Sequence, residues 1–259
     1  MIAPLLLDDP LAALRQPITG TARLTGDGVL TVGQLADGDP ASLALLADNG
    51  TARHTTVVGA AGSGKTVLLR AALAAARTTG VDAQIIDAHE GSLAGRGFPV
   101  AASIAAARTV LAEQYELALQ RQAISGGPLR LLVIENLHLL TRDRDCAKLL
   151  ALLAVEAGPA RIAVIAGTQL AERQVFGPPA PHPSRNARLL LTQNLVLLRT
   201  SMSLSRVLPM LDDAPGGLNL PDVASHQLDF PGHFTDGATT AGIGYLPRHH
   251  MRPLRVWWS

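Results

Sequence analysis

From position 55 onward, short apolar runs alternate with longer helical stretches. TTVV (55–58) is β-branched and reads as a buried strand. AQIID (83–87), RLLVIE (130–135), RIAVIAGTQ (161–169) and NLVLLR (194–199) read as further strands. Between them, VLLRAALAAARTTG (67–80) is rich in alanine and leucine and closes on Gly80, a helix stop. SIAAARTVLAEQYELALQRQ (103–122) and RDCAKLLALLAVEAG (144–158) are further helices, the second stopped by Gly158. Strands that alternate with helices predict an α/β fold: a mainly parallel sheet with helices on both faces. Functional groups then collect at the C-terminal ends of the strands.

Composition narrows this picture only slightly. A chain of 259 residues suits one large domain or a domain with an extension. Hydrophobic residues make up 47%, enough for a sizeable core. A net charge of +1 gives no bulk attraction for a polyanion, so any nucleic-acid contact must come from local patches. The single Cys146 rules out an internal disulfide and fits a reducing cytosol. No apolar run approaches the ~20 residues that span a bilayer. MIAPLLLDDPLAAL lacks a basic leading region and meets acid at Asp8, which argues against a signal peptide.

Candidate chemistry changes the picture more. Gly59-Ala60-Ala61-Gly62-Ser63-Gly64-Lys65-Thr66 fits G-x-x-x-x-G-K-[ST] in full, followed by Val67, between a strand and a helix. Such a loop turns backbone N–H groups inward around phosphate oxygens, and the helix N-terminus adds its dipole. The chain's only lysines are Lys65 and Lys148; elsewhere its long cations are arginines. A compact ammonium at Lys65 fits a phosphate nest better than a wide guanidinium fork. The Thr66 hydroxyl suits Mg²⁺. The expected ligands are therefore ATP and Mg²⁺.

Glu135 ends the third strand, where P-loop ATPases place a second acid that holds Mg²⁺ through water. Its neighbour Asn136 can orient a water and cannot take its proton. Gln169, after the fourth strand, is either a sensor of the γ-phosphate or an ordinary polar strand end.

Taken in order, VVGAAGSGKT, IIDAHEGSL, RLLVIENLHLL, AVIAGTQL and SMSLSR resemble the motifs of the FtsK/SpoIIIE family of DNA-pumping ATPases, within the wider HerA/FtsK superfamily. LTVGQLADGDPASLALLADNGTARH resembles the family's lead-in strands, and PGHFTDGATTAGIGYLP its closing hairpin. The resemblance covers roughly residues 20 to 258. It implies a RecA-like P-loop NTPase in which strands two and three are neighbours and strand four lies beside the P-loop strand. It divides the chain into an N-terminal extension with lead-in strands (1–50) and an ATPase core with a C-terminal hairpin (51–259). It further implies a homo-oligomer, a hexameric ring around double-stranded DNA, with ATP at subunit interfaces. The setting would be cytoplasmic, with recruitment to the membrane by a partner protein.

The chain departs from the family where chemistry is concentrated. Glu135-Asn136 stands where Asp-Glu is usual, and Asn194 where the fifth strand often opens on a basic residue. Catalytic candidates are Glu135, Asn136, Gln169 and, as an arginine acting across a subunit interface, Arg206. RQVFGPPAPHPSRNAR (173–188) is a proline-rich loop where the family projects a pore loop, which makes Arg173, Arg185 and Arg188 candidate DNA contacts. Arg142 and Arg144 are a second choice, with Asp143 and Asp145 beside them. Three functions stay open: a double-stranded DNA translocase in conjugation or segregation, an ATP-binding assembly protein with little hydrolysis, and a type VII secretion-like ATPase module.

Overall fold

The computed structural model of the protein describes residues 14, 18–89, 91–124, 127–170, 173–176, 186–200, 233, 239–247 and 252–257. Its strands in chain order are β1 (Arg23–Leu24), β2 (Val29–Leu35), β3 (Pro40–Ala44), β4 (Thr55–Val58), β5 (Asp82–Ile86), β6 (Val100–Ala101), β7 (Arg130–Ile134), β8 (Ile162–Thr168), β9 (Asn194–Leu198), β10 (Ile243–Leu246) and β11 (Arg252–Val256). The helices are α1 (Lys65–Thr79), α2 (Ile104–Ala123), α3 (Leu137–Leu140), α4 (Arg144–Glu156) and α5 (Ala187–Leu191).

The P-loop strand β4 sits inside the sheet, parallel to β9 on one side and to β8 on the other. Beyond β8 come β7, β5 and β6, all parallel. Strands two and three of the sequence reading are therefore neighbours, and strand four lies beside the P-loop strand, as the resemblance implies. β6 was not expected; at Val100–Ala101 it is too short to leave a periodic signal.

Alternation within each strand divides the core into two layers. Val57, Leu131, Val133, Ile165 and Val196 pack on one face, where α1 supplies Leu68, Leu69, Ala72, Leu73 and Ala76. Leu132, Ile134, Val164 and Leu195 pack on the other, against Leu111 of α2 and Cys146, Leu150 and Leu153 of α4. Leu73 is fully buried, and its truncation to alanine would cost ~2–5 kcal/mol.

Caps set the helix bounds. Gly80 closes α1 as expected, its N–H bonded to the carbonyls of Ala76 and Arg77. The Ser103 hydroxyl accepts from Ala106 N–H at the start of α2. Asp143 accepts from Cys146 N–H at the start of α4, and the Arg108 guanidinium holds its carboxyl down at about 2. α4 ends at Glu156, short of Gly158. The reversal into β8 uses a left-handed Arg161 (φ 57), with Ile162 N–H returning to Ala157 O.

The rest of the sheet is antiparallel. β10 pairs with β9, β11 with β10, and β2 with β11, while β1 and β3 both pair with β2. The lead-in strands thus extend the same sheet, joined to the core through the closing hairpin. At Gly244 a side chain would collide with the Leu197 carbonyl, so only glycine lets β10 approach β9. Arg255 is fully buried and donates to the carbonyls of Leu14 and Thr239. Burial lowers its pKa. Among the described residues, no helix is long and apolar enough to cross a membrane.

Candidate nucleotide site

The loop between β4 and α1 is held from both neighbouring strands. Gly59 N–H donates to Thr168 O, at the end of β8, at 3.1 Å, and Ala60 N–H donates to Arg199 O, beyond β9, at 2.8 Å. Gly62 (φ 67) and Gly64 (φ 101) take left-handed backbone conformations that cost an ordinary residue ~1–2 kcal/mol. Gly64 starts α1 without a side-chain cap, so the orphan N–H groups of the first turn are available to an anion. Lys65 is 5% exposed, and its Nζ donates to Ala60 O at 2.9 Å, across the loop. Val67 follows half-buried in the first turn, while Ala61 and Gly62 form an exposed tip. Two contacts had no sequence signal. Arg199 Nη2 donates to Ala61 O at 3.1 Å. Gly242, in the turn before β10, donates its N–H to Ser63 O at 2.7 Å, and a Cβ on Gly64 would stand 2.5 Å from that nitrogen.

The second acidic motif meets this loop. Thr66 Oγ1 donates to Glu135 Oε1 at 3.1 Å, so the two residues expected to hold Mg²⁺ touch each other. A Cβ on Gly167 would lie 3.7 Å from Glu135 Oε2 and 3.8 Å from Lys65 Cβ, which sets the carboxylate beside the lysine stem. Asn136 is 1% exposed and left-handed (φ 55), a conformation asparagine tolerates better than most residues. Its Nδ2 is buried without an acceptor among the described residues. Gln169 is half-buried, and its backbone N–H donates to His138 Nδ1 at 3.4 Å. That links the second acidic motif to the fourth strand end through a histidine the sequence did not single out. Asp87, at the end of the second run, spends its carboxylate on the loop after β5, accepting from Gly91 N–H, Leu93 N–H and the Ser92 hydroxyl.

Other expected residues fall elsewhere. Arg188 does not stand on an exposed loop. ARLLL folds into α5, buries Ala187 and Leu191, and carries Arg188 inward to 5% exposure. From there it cannot present its charge to a duplex. Arg173 opens a short 3₁₀ turn, Arg173–Phe176. Arg185 and Arg206 lie outside the described residues. Arg142 and Arg144 are exposed and make no ion pair among the described residues, because Asp143 and Asp145 pair with Arg108. Asn194, in the place of a basic residue, donates to Ala44 O and Thr55 Oγ1, tying the lead-in strands to the core. Trp257 packs over Gly20. No cluster of three or more His, Cys, Asp or Glu side chains that could hold a metal occurs among the described residues.

No family model matches the chain, and no curated protein matches it. Solved structures do. The cytoplasmic domain of the Thermomonospora curvata type VII secretion ATPase EccC superposes with a TM-score of 0.62 at 18% identity, over 100% of this chain and 32% of that one. The pCW3 conjugation coupling protein TcpA gives 0.63 at 16% identity, over 94% of this chain and 71% of that one. VirB4 of Thermoanaerobacter pseudethanolicus gives 0.52 at 11% identity, over 94% and 98%. The chain thus spans about a third of the EccC chain that it matches along its whole length. These likenesses show one thing: the chain shares the mainly parallel α/β fold of these ATPase domains.

Proposed function

We propose that this chain is an ATP-driven motor domain of FtsK/SpoIIIE type that moves double-stranded DNA, in conjugative transfer or segregation, as a hexameric ring. One observation carries the nucleotide part: Lys65, Thr66 and Glu135 converge behind a left-handed glycine loop, with Thr66 and Glu135 in contact at 3.1 Å. That donor set fits Mg²⁺·ATP. The backbone N–H groups of Ala61, Gly62 and Gly64 to Thr66, with the start of α1, would hold the phosphates, since Ala60 and Ser63 already donate to Arg199 O and Ala60 O. Lys65 would exchange the Ala60 carbonyl for phosphate oxygens, whose negative charge adds an attraction the carbonyl lacks. Thr66 and Glu135 would hold Mg²⁺ by hydroxyl and carboxylate, and the metal neutralises charge that develops on the phosphates. Asn136 cannot accept a proton, which leaves Glu135 as the acid and makes turnover slow. Gln169, backed by His138, would orient the attacking water.

DNA as the cargo is supported by the motif order and by the likeness to a conjugation coupling protein. Arg142 and Arg144, exposed and unpaired among the described residues, join Arg173 and Arg185 as phosphate contacts, and Arg206 would act across the subunit interface. The site of action is the cytoplasm, at the membrane when a partner recruits the ring. A secretion module is the second reading, favoured by the full-length superposition on EccC. ATP turnover with and without linear duplex DNA tests both. Stimulation by DNA that weakens steeply with salt supports the translocase. Turnover indifferent to DNA removes it, and tight ATP binding without turnover points to an assembly protein.

A further inference from the structure

The nucleotide reading leaves one charged side chain at the loop without a task. Arg199 follows β9 and meets the P-loop twice: its carbonyl accepts from Ala60 N–H at 2.8 Å, and its Nη2 donates to Ala61 O at 3.1 Å. The same Nη2 lies 3.8 Å from where a Cβ on Gly62 would stand. Arg199 makes no ion pair among the described residues, and its Nε is buried there without an acceptor. A permanent cation is thus held at the loop's exposed tip by a neutral carbonyl. One hydrogen bond to an uncharged carbonyl does little more than offset the entropy of ordering so long a side chain, so bracing the loop is a weak reason for an arginine here. A phosphate oxygen would be a far better acceptor.

Lys65 shows which phosphate is in reach. In this loop type the lysine ammonium serves the β- and γ-phosphates. Here Nζ sits at Ala60 O, and Arg199 Nη2 sits at the next carbonyl, Ala61 O. The two cations meet consecutive carbonyls of the loop, so the guanidinium would be in reach of the same terminal phosphate as the lysine.

We propose that Arg199 is a phosphate-sensing arginine supplied by the same chain, which trades the Ala61 carbonyl for a γ-phosphate oxygen when ATP binds. The inference rests on the nucleotide reading above and adds a residue to it. An arginine in this place needs no neighbouring subunit, unlike Arg206. It distinguishes ATP from ADP, because only ATP offers it a terminal phosphate. On hydrolysis the contact is lost and the side chain returns to Ala61 O, so the state of the nucleotide reaches β9 and, through β9, the closing hairpin.

The test is calorimetric titration of the full chain with Mg²⁺·ADP and with the Mg²⁺ complex of β,γ-imido-ATP. Wild type, Arg199→Ala and Arg199→Lys are compared. Arg199→Ala should weaken the imido analogue about tenfold or more and change ADP by less than about twofold. Arg199→Lys should recover part of the loss, since it keeps the charge without the fork. Should alanine loosen the loop, Arg199→Gln carries the same comparison, because it keeps an N–H for Ala61 O and removes the charge. Equal weakening of both nucleotides, or no change in either, overturns the assignment and leaves the nucleotide reading intact. A wild-type chain that binds neither nucleotide overturns both.

Discussion

In the parallel half of the sheet, β4, β8 and β9 are buried at every position. In the antiparallel half, β2 alternates between buried and half-buried residues, and β11 admits a whole arginine to the interior. The halves also bury basic groups by different means. In the parallel half, His54 lies just before β4, where its Nδ1 accepts from Val164 N–H and its Nε2–H points at Ala154 O. Burial pushes it down to about 4, so it folds neutral. In the antiparallel half, Arg255 keeps its charge and spends it on carbonyls. The parallel half is a dry wall from which loops carry the chemistry. The antiparallel half is a brace whose buried cation no ordinary pH can switch off.

The largest expected effect concerns the loop alone. Lys65→Ala should lower ATP affinity by about 100-fold or more, through loss of charge-assisted bonds, with melting temperature nearly unchanged. Binding as tight as wild type in a calorimetric titration would end the division of labour between the halves. Arg255→Met should cost about 3 kcal/mol of stability, since two carbonyls lose their donor, and the loss should be equal at pH 7 and pH 5. Urea unfolding at both pH values measures it, and a pH-dependent loss would remove the contrast with His54.

His54 supplies the next test. Unfolded, it takes up a proton as pH falls below its ordinary 6.5; folded, it does so only near 4. In that window the unfolded state binds more protons, so stability falls as pH falls and the contribution is flat above 6.5. The full span corresponds to about 3 kcal/mol, of which about half is gone near pH 5. His54→Gln should flatten the urea midpoint against pH relative to wild type, and parallel curves would refute the assignment. The smallest effect is at Asn136. Replacing it by glutamate at φ 55 should cost about 1 kcal/mol of stability and still raise ATP turnover at least tenfold if the missing base limits the rate. An unchanged rate with ATP still bound would give the base role to Glu135.

The same contrast governs what could be read from the sequence. A strand covered on both faces announces itself, and TTVV at 55–58 is β4 to the residue. β5, β7, β8 and β9 fall within a residue at either end, because their signal is local, while the two-residue β6 left none. In the antiparallel half, Gly244 means nothing until β9 is known to lie against it, so that half was legible only through family resemblance. The site divides likewise. Gly59 to Thr66 is a contiguous motif, and Glu135 is marked by its strand end. Arg199 and Gly242 reach the loop only through strand order, which no local pattern encodes. Arg188 shows the opposite error: proline and arginine suggested an exposed loop, but the short apolar run 189–191 was enough to fold it inward.

The seam between the halves also sets a timetable. Gly33, Gln34 and Leu35 pair with Val256, Arg255 and Leu254, and the Ser63 carbonyl is met by Gly242. A ribosome adding about 5–20 residues per second needs roughly 10–40 s to get from the first partner of the strand pair to the second. For that interval the edge of β2 is open beside every other nascent chain, and the phosphate loop lacks the turn that holds it. Mispairing at this open edge during synthesis, rather than weakness of the finished seam, is therefore the hazard that the strand order builds in.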